Sequence, residues 1–129
     1  MSAAPFWILR SVVEAAHDEL IAEFGGASGV RDLGSLESAL ARPENLYAYA
    51  ASDIFALSAA YAFGIVKNHP FVDGNKRTAF LAAHLFLRIN GWRLVAAQAD
   101  ATEAMFSLAA GTLAESTFAD WLRSNARAA

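Results

Sequence analysis

The chain has 129 residues, of which 56% are hydrophobic and 18% charged, and this length suits a single domain over residues 1–129. Cysteine is absent and the net charge is −3, which argues against a disulfide scaffold, cysteine-ligated zinc and a broad nucleic-acid-binding surface. The N-terminus lacks a signal-peptide pattern, and the longest mostly apolar run, residues 54–66, is shorter than the roughly 20 residues of a membrane span. We therefore expect a cytoplasmic protein without a membrane or direct nucleic-acid partner.

The N-terminal part of the chain predicts a helix followed by a glycine-rich loop. Ser11 is a plausible N-cap with Glu14 three residues later, which is a capping-box pattern. A stripe of apolar residues follows at helical spacing up to Phe24, and Gly25–Gly26 ends the helix. Residues 25–34 contain several glycines and predict a loop.

A proline limits the second predicted helix. Ser35 begins a short helix that extends to Ala41 and ends before Pro43, because proline lacks the backbone N–H that a helix interior needs. The sequence pattern of residues 44–50 gives only a weak signal of secondary structure.

The rest of the chain predicts four more helices. No pair of alternating runs is joined by a hairpin turn, so we expect no sizeable sheet. The fold class is an all-α, compact helical bundle of about six helices, in which two buried central helices are joined by a polar loop. The four helices cover residues 54–68 (capped by Ser52 or Asp53), 75–90, 101–111 and 116–126.

The loop between the two central helices concentrates the polar side chains of the chain. A helix N-terminus offers unpaired N–H groups and a partial positive charge, so it is a natural site for a phosphate. The glycine lets the backbone approach a ligand closely, and the two cations add formal charge. The candidate site residues are His69, Asp73, Gly74, Asn75, Lys76 and Arg77.

Two of these side chains suit phosphoryl-type transfer. Asp73 can bind Mg²⁺, which usually takes one or two carboxylates together with phosphates and water. His69 can take a proton from an attacking hydroxyl near neutral pH. Two structural alternatives remain open: Asp73 could only cap the following helix, and Lys76 could be a solvated helix residue.

The segment from His69 to Arg77 resembles the signature of the Fic/Doc superfamily, and residues 25–40 and 86–91 resemble its Doc branch of toxin–antitoxin toxins. The resemblance covers about residues 6–125 and implies the all-α Fic/Doc fold. It implies that His69 is the general base, that Phe71 anchors the loop and that Asp73 binds Mg²⁺. By the same resemblance Gly74, Asn75, Lys76 and Arg77 bind the phosphates of ATP, with Arg77 also catalytic.

Two positions depart from the pattern of the AMP-transferring members of the superfamily. Lys76 stands where those enzymes have glycine, and Phe80 stands where they have a second arginine. In the Doc branch these changes accompany transfer of the γ-phosphate, so the resemblance implies a toxin that phosphorylates a Ser or Thr hydroxyl of elongation factor Tu. It also implies a cognate antitoxin, because the chain lacks the inhibitory motif that some Fic proteins carry.

Three other hypotheses remain. The chain could be an AMP or other NMP transferase, a catalytically inactive antitoxin-binding module or a metal phosphohydrolase. Three further features are open: His17 is favoured as a core histidine over a catalytic one, and the pair Arg31–Asp32 could bind a ligand or serve as a local cap. His84 and Arg88 are favoured as a polar helix face over an extension of the anion site.

Overall fold

A computed structural model describes residues 4–129, and its architecture confirms the all-α prediction. Six helices and one two-stranded sheet are formed in this part of the chain. The sheet is antiparallel, with Arg93 opposite Arg127. The elements are α1 (Arg10–Phe24), α2 (Leu33–Ala50), α3 (Ile54–Asn68), α4 (Asn75–Ile89), β1 (Trp92–Leu94), α5 (Gln98–Ala110), α6 (Glu115–Ser124) and β2 (Ala126–Ala128).

Helix α3 is the centre of the bundle, as its nearly continuous apolar sequence predicted. It packs against α2, α4 and α6, and Asp53 caps it by accepting a hydrogen bond from the Ala56 N–H at 2.8 Å. Gly64 permits the close approach of α2, because a Cβ at this position would lie 3.1 Å from the Ala39 Cα. Helix α3 therefore forms one end of the polar loop and, by packing against α4, supports the helix that forms the other end.

Helix α2 corrects the prediction of a short helix from Ser35 to Ala41. It is continuous through Pro43 and begins after Asp32, whose side chain accepts from the Ser35 N–H at 3.1 Å. An interior proline costs a helix about 3 kcal/mol in isolation. Here Pro43 is buried and α2 packs along α3, so tertiary packing outweighs the local penalty.

The start of α1 also differs from the prediction. Leu9, and not Ser11, is the N-cap, and no side chain caps this end. Ile8 is buried and its N–H donates to the Tyr61 hydroxyl at 3.2 Å, which fixes the extended chain up to Leu9. The α5 and α6 predictions are confirmed with shifted ends, and none of the helices within residues 4–129 is long and apolar enough to cross a membrane.

Candidate active site

His69 lies at the C-terminal end of α3, where it takes a left-handed conformation with φ 47° and ψ 56°. Such a φ is uncommon for a residue with a side chain. Its backbone is held on both sides: the N–H donates to Ile65 at 3.1 Å, and the carbonyl accepts from Arg31 Nε at 2.7 Å. The imidazole is exposed, and its Nδ1 lies 3.5 Å from Asn75 Nδ2. A substrate hydroxyl can therefore reach it from solvent.

The glycine-rich loop runs along the motif loop and pairs with it. The Arg31 N–H donates to the Pro70 carbonyl at 2.7 Å, and the Val72 N–H donates to the Gly29 carbonyl at 3.1 Å. Arg31 thus donates hydrogen bonds to the segment His69–Pro70 from both its backbone and its side chain. Of the two roles considered for Arg31 and Asp32, the structure supports local capping, since Asp32 caps α2.

Asn75 braces the motif loop with its side chain. It is buried, its Oδ1 accepts from the Phe71 N–H at 3.1 Å, and its Nδ2 donates to the Phe71 carbonyl at 3.0 Å. Since Oδ1 and one Nδ2 hydrogen are used inside the loop, the backbone N–H of Asn75 and its second Nδ2 hydrogen remain for other partners. Its phosphate-binding role stays a prediction.

Phe71 and His17 form the buried underside of the loop. Both are 1% exposed, and their rings stack with a centroid distance of 3.9 Å and an interplanar angle of 10°. His17 Nε2 lies 2.8 Å from the Asp73 carbonyl oxygen. His17 is therefore a satisfied core histidine, as the sequence favoured, and Phe71 anchors the loop.

Asp73 presents its carboxylate at the start of α4 without capping that helix. Gly74 is the N-cap, with φ 73°, and no side chain accepts from the first turn of α4. Asp73 Oδ1 instead accepts from the Gly74 N–H at 2.8 Å, and Oδ2 accepts from the Ala27 N–H at 3.4 Å. The alternative that Asp73 only caps α4 is therefore not supported, and the first-turn N–H groups stay available.

The two cations of the motif are exposed on the first turn of α4. The Arg77 guanidinium lies 4.3 Å from the centre of the Phe24 ring at the end of α1. Phe80 follows Lys76 by one turn and is half-buried against the core. His84 and Arg88 lie further along α4, and burial followed by the charge of Arg88 lowers the pKa of His84.

The sequence did not identify three residues that support this site. Gly26 was interpreted as a helix stop and a loop residue, but a Cβ at this position would lie 2.7 Å from Asp73 Oδ2. Phe24 was interpreted as part of an apolar stripe, although it is 53% exposed and faces Arg77. The hydrogen bond of His17 to Asp73 spans 56 residues, and no local pattern reports such a contact.

Comparison with known proteins agrees with this geometry. The model of the Fic/DOC family matches residues 7–87. The chain is 37% identical over 110 residues to "Protein kinase doc" of Escherichia phage P1, which covers 84% of this chain and 86% of that protein. It is 47% identical over 75 residues to "Toxin Doc" of Mycolicibacterium smegmatis, which covers 57% of this chain and 58% of that protein. The chain belongs to the Fic/DOC family.

Proposed function

We propose that this protein is the toxin of a toxin–antitoxin module and uses Mg²⁺ and ATP to phosphorylate a Ser or Thr hydroxyl of a translation factor, with elongation factor Tu as the expected target. The observation that carries the proposal is the exposed His69 beside the N-terminus of α4, whose N-cap residue Gly74 makes no side-chain hydrogen bond to the first turn. The names of the two relatives, one a kinase and one a toxin, support the same function.

His69 would act as the general base. Its imidazole is exposed while its backbone is held by hydrogen bonds with Ile65 and Arg31, so the base is accessible from a fixed point of the chain. It would take the proton of the incoming hydroxyl as the hydroxyl oxygen bonds to the γ-phosphorus. The bond between that phosphorus and the β–γ bridging oxygen breaks, and ADP leaves.

The residues at the start of α4 fit a magnesium-bound triphosphate. Asp73 is an exposed carboxylate, and residues 4–129 contain no group of three or more His, Cys, Asp or Glu side chains that could form a protein-only metal site. One carboxylate completed by phosphate oxygens and water is the usual arrangement for Mg²⁺. When bound, Mg²⁺ neutralises phosphate charge, and the N–H groups of α4 with Lys76 and Arg77 would hold the phosphate oxygens.

Lys76 and Phe80 support phosphate transfer over AMP transfer. Both lie on the first two turns of α4, where the second arginine of the AMP-transferring pattern is replaced by a half-buried phenylalanine. A phenylalanine cannot bind a phosphate, and the lysine occupies space that glycine would leave free. We infer that the triphosphate lies with its γ-phosphate toward His69.

The direct test uses ATP labelled at either the α or the γ position. The purified protein is incubated with elongation factor Tu and Mg²⁺, and label on the target is measured and mapped by mass spectrometry. We expect label only from the γ position, on Ser or Thr, and none with His69→Ala. Label only from the α position would replace the kinase proposal with AMP transfer.

A second measurement separates catalysis from binding. Expression of the parent should arrest growth, and His69→Ala and Asp73→Asn should relieve the arrest while antitoxin binding persists. An arrest that continues unchanged in both variants would favour an inactive binding module over an enzyme.

A further inference from the structure

Helix α1 holds the Asp73 end of the motif loop through a buried side chain. His17 is 1% exposed, and its Nε2 lies 2.8 Å from the main-chain oxygen of Asp73. A carbonyl oxygen only accepts hydrogen bonds, so Nε2 carries the hydrogen and donates it. Stacking on Phe71 fixes the plane of the imidazole. The backbone of Asp73 is therefore tied to a rigid element outside the motif.

Gly26, just after α1, leaves the space that the Asp73 carboxylate occupies. A Cβ built on Gly26 would lie 2.7 Å from Asp73 Oδ2 and 3.2 Å from Asp73 Cγ, and 3.3 Å from Ile21 Cδ1. The adjacent Ala27 N–H donates to the same Oδ2 at 3.4 Å. Any side chain at position 26 would push the carboxylate away from its present direction.

We propose that His17 and Gly26 are positioning residues that orient the Asp73 carboxylate toward a divalent cation bound with phosphates at the start of α4. This inference rests on the proposed function, because that function assigns Asp73 to the metal. Residues that orient a metal ligand commonly change metal affinity by about 10–100-fold when they are replaced. We expect replacement of His17 or Gly26 to weaken binding of the cation and to leave binding of metal-free nucleotide unchanged.

Glycine substitutions give a matched test of the carboxylate side. Gly26 has φ +114° and Gly29 has φ +107°, so alanine is comparably strained at both, but only at Gly29 would the added Cβ find nothing within 4 Å. We expect Gly26→Ala to weaken binding of Mn²⁺, used as the probe with a non-hydrolysable ATP analogue, by about tenfold or more. Gly29→Ala should bind Mn²⁺ like the parent, and its thermal midpoint should fall because of the backbone strain that it shares with Gly26→Ala.

Substitutions at His17 test the backbone side. Phenylalanine keeps an aromatic ring against Phe71 but cannot donate to Asp73, whereas glutamine offers an N–H at a similar reach without the ring. We expect His17→Phe to weaken Mn²⁺ binding and His17→Gln to recover most of the loss. Nucleotide affinity without metal should be the same in both variants and in the parent.

Asp73→Asn separates the two proposals. If Asp73→Asn and the parent bind Mn²⁺ equally, Asp73 is not the metal ligand, and the proposed function fails together with this inference. If Asp73→Asn loses binding while Gly26→Ala and His17→Phe bind like the parent, only this inference is overturned. Equal losses in Gly26→Ala and Gly29→Ala would also overturn it, because a general loop defect would explain them.

Discussion

Arg31 holds the backbone of His69 from outside the motif. Its Nε donates to the His69 carbonyl at 2.7 Å, and its Nη2 donates to the Asn68 carbonyl at 2.9 Å. These carbonyls belong to the C-terminal end of α3, where a cation is also favoured by the helix dipole. Since His69 has a positive φ, we infer that this double hydrogen bond keeps the imidazole where it can meet a substrate.

Replacing Arg31 with methionine should therefore lower activity more than stability. The variant keeps most of the side-chain stem but loses both donors, and we expect γ-label transfer to fall about tenfold, a change of about 1.4 kcal/mol in the barrier. The free energy of unfolding in urea should fall by about 1 kcal/mol. Arg93→Met, at an exposed position of β1, is the control, and an Arg31→Met enzyme as active as this control would contradict the role.

The side chain of Asn75 should matter for the fold of the loop before it matters for phosphate. Its replacement by alanine leaves the N–H and carbonyl of Phe71 without their partners. Because Phe71 is buried, the free energy of unfolding in urea should fall by about 2 kcal/mol. Asn45→Ala, at an exposed position of α2, is the control and should change the free energy of unfolding little. Equal stability of the two variants would show that the amide does not brace the loop.

Local signals and long-range contacts explain which features the sequence predicted. The cap at Asp53 and the apolar runs on either side of the polar segment are local signals, so the two central helices and the loop between them were predicted from the sequence. The roles of the residues from His69 to Arg77 stay predictions. The contacts of His17 and Arg31 with the motif join residues 56 and 38 positions apart, and helical periodicity carries no information about them. Pro43 was misinterpreted as a stop because its cost is local, whereas the packing that outweighs it involves α3.

Phe24 should help to hold Arg77 for phosphate binding. The guanidinium lies 4.3 Å from the ring centre, and such a pair at an exposed site contributes about 0.5–1 kcal/mol. Phe24→Leu should therefore raise the KM for ATP by about two- to fivefold, while Phe24→Tyr keeps an aromatic face and should match the parent. Phe106→Leu, at another exposed phenylalanine, is the control. If leucine and tyrosine at position 24 gave the same KM, the ring would have no part in orienting Arg77.

His84 makes the stability of the fold depend on pH. Burial, and then the charge of Arg88, lowers the pKa of His84 below 6.5. The unfolded chain then binds a proton more readily than the folded chain. The contribution of neutral His84 to the free energy of unfolding is thus fully present above pH 6.5. It is lost as the pH falls through the pKa of His84 in the folded chain.

Urea unfolding between about pH 5 and 8 tests this, since the interval spans the ordinary titration range of histidine. The parent should lose stability toward the acid end, and His84→Gln should lose less. Arg88→Gln should raise the pKa of His84 in an NMR titration, because it removes the repelling charge. Identical pH slopes in the parent and His84→Gln would rule out His84 as the source.

The choice of transferred group should depend on Lys76 and Phe80 together. Phe80 is half-buried, and an arginine there can keep its stem against the core while its head reaches solvent. We therefore expect Lys76→Gly with Phe80→Arg to raise the ratio of α- to γ-label transfer about tenfold, equivalent to about 1.4 kcal/mol between the two barriers. Lys76→Gly with Phe80→Leu is the matched control, because it removes the lysine and the ring but adds no cation. If both double variants kept the label ratio of the parent, residues other than these two would set the orientation of the nucleotide. If the ratio of α- to γ-label transfer rose equally in the control, the new guanidinium could not be the cause, because only one of the two variants carries it. The orientation of the nucleotide would then depend on the space freed at position 76.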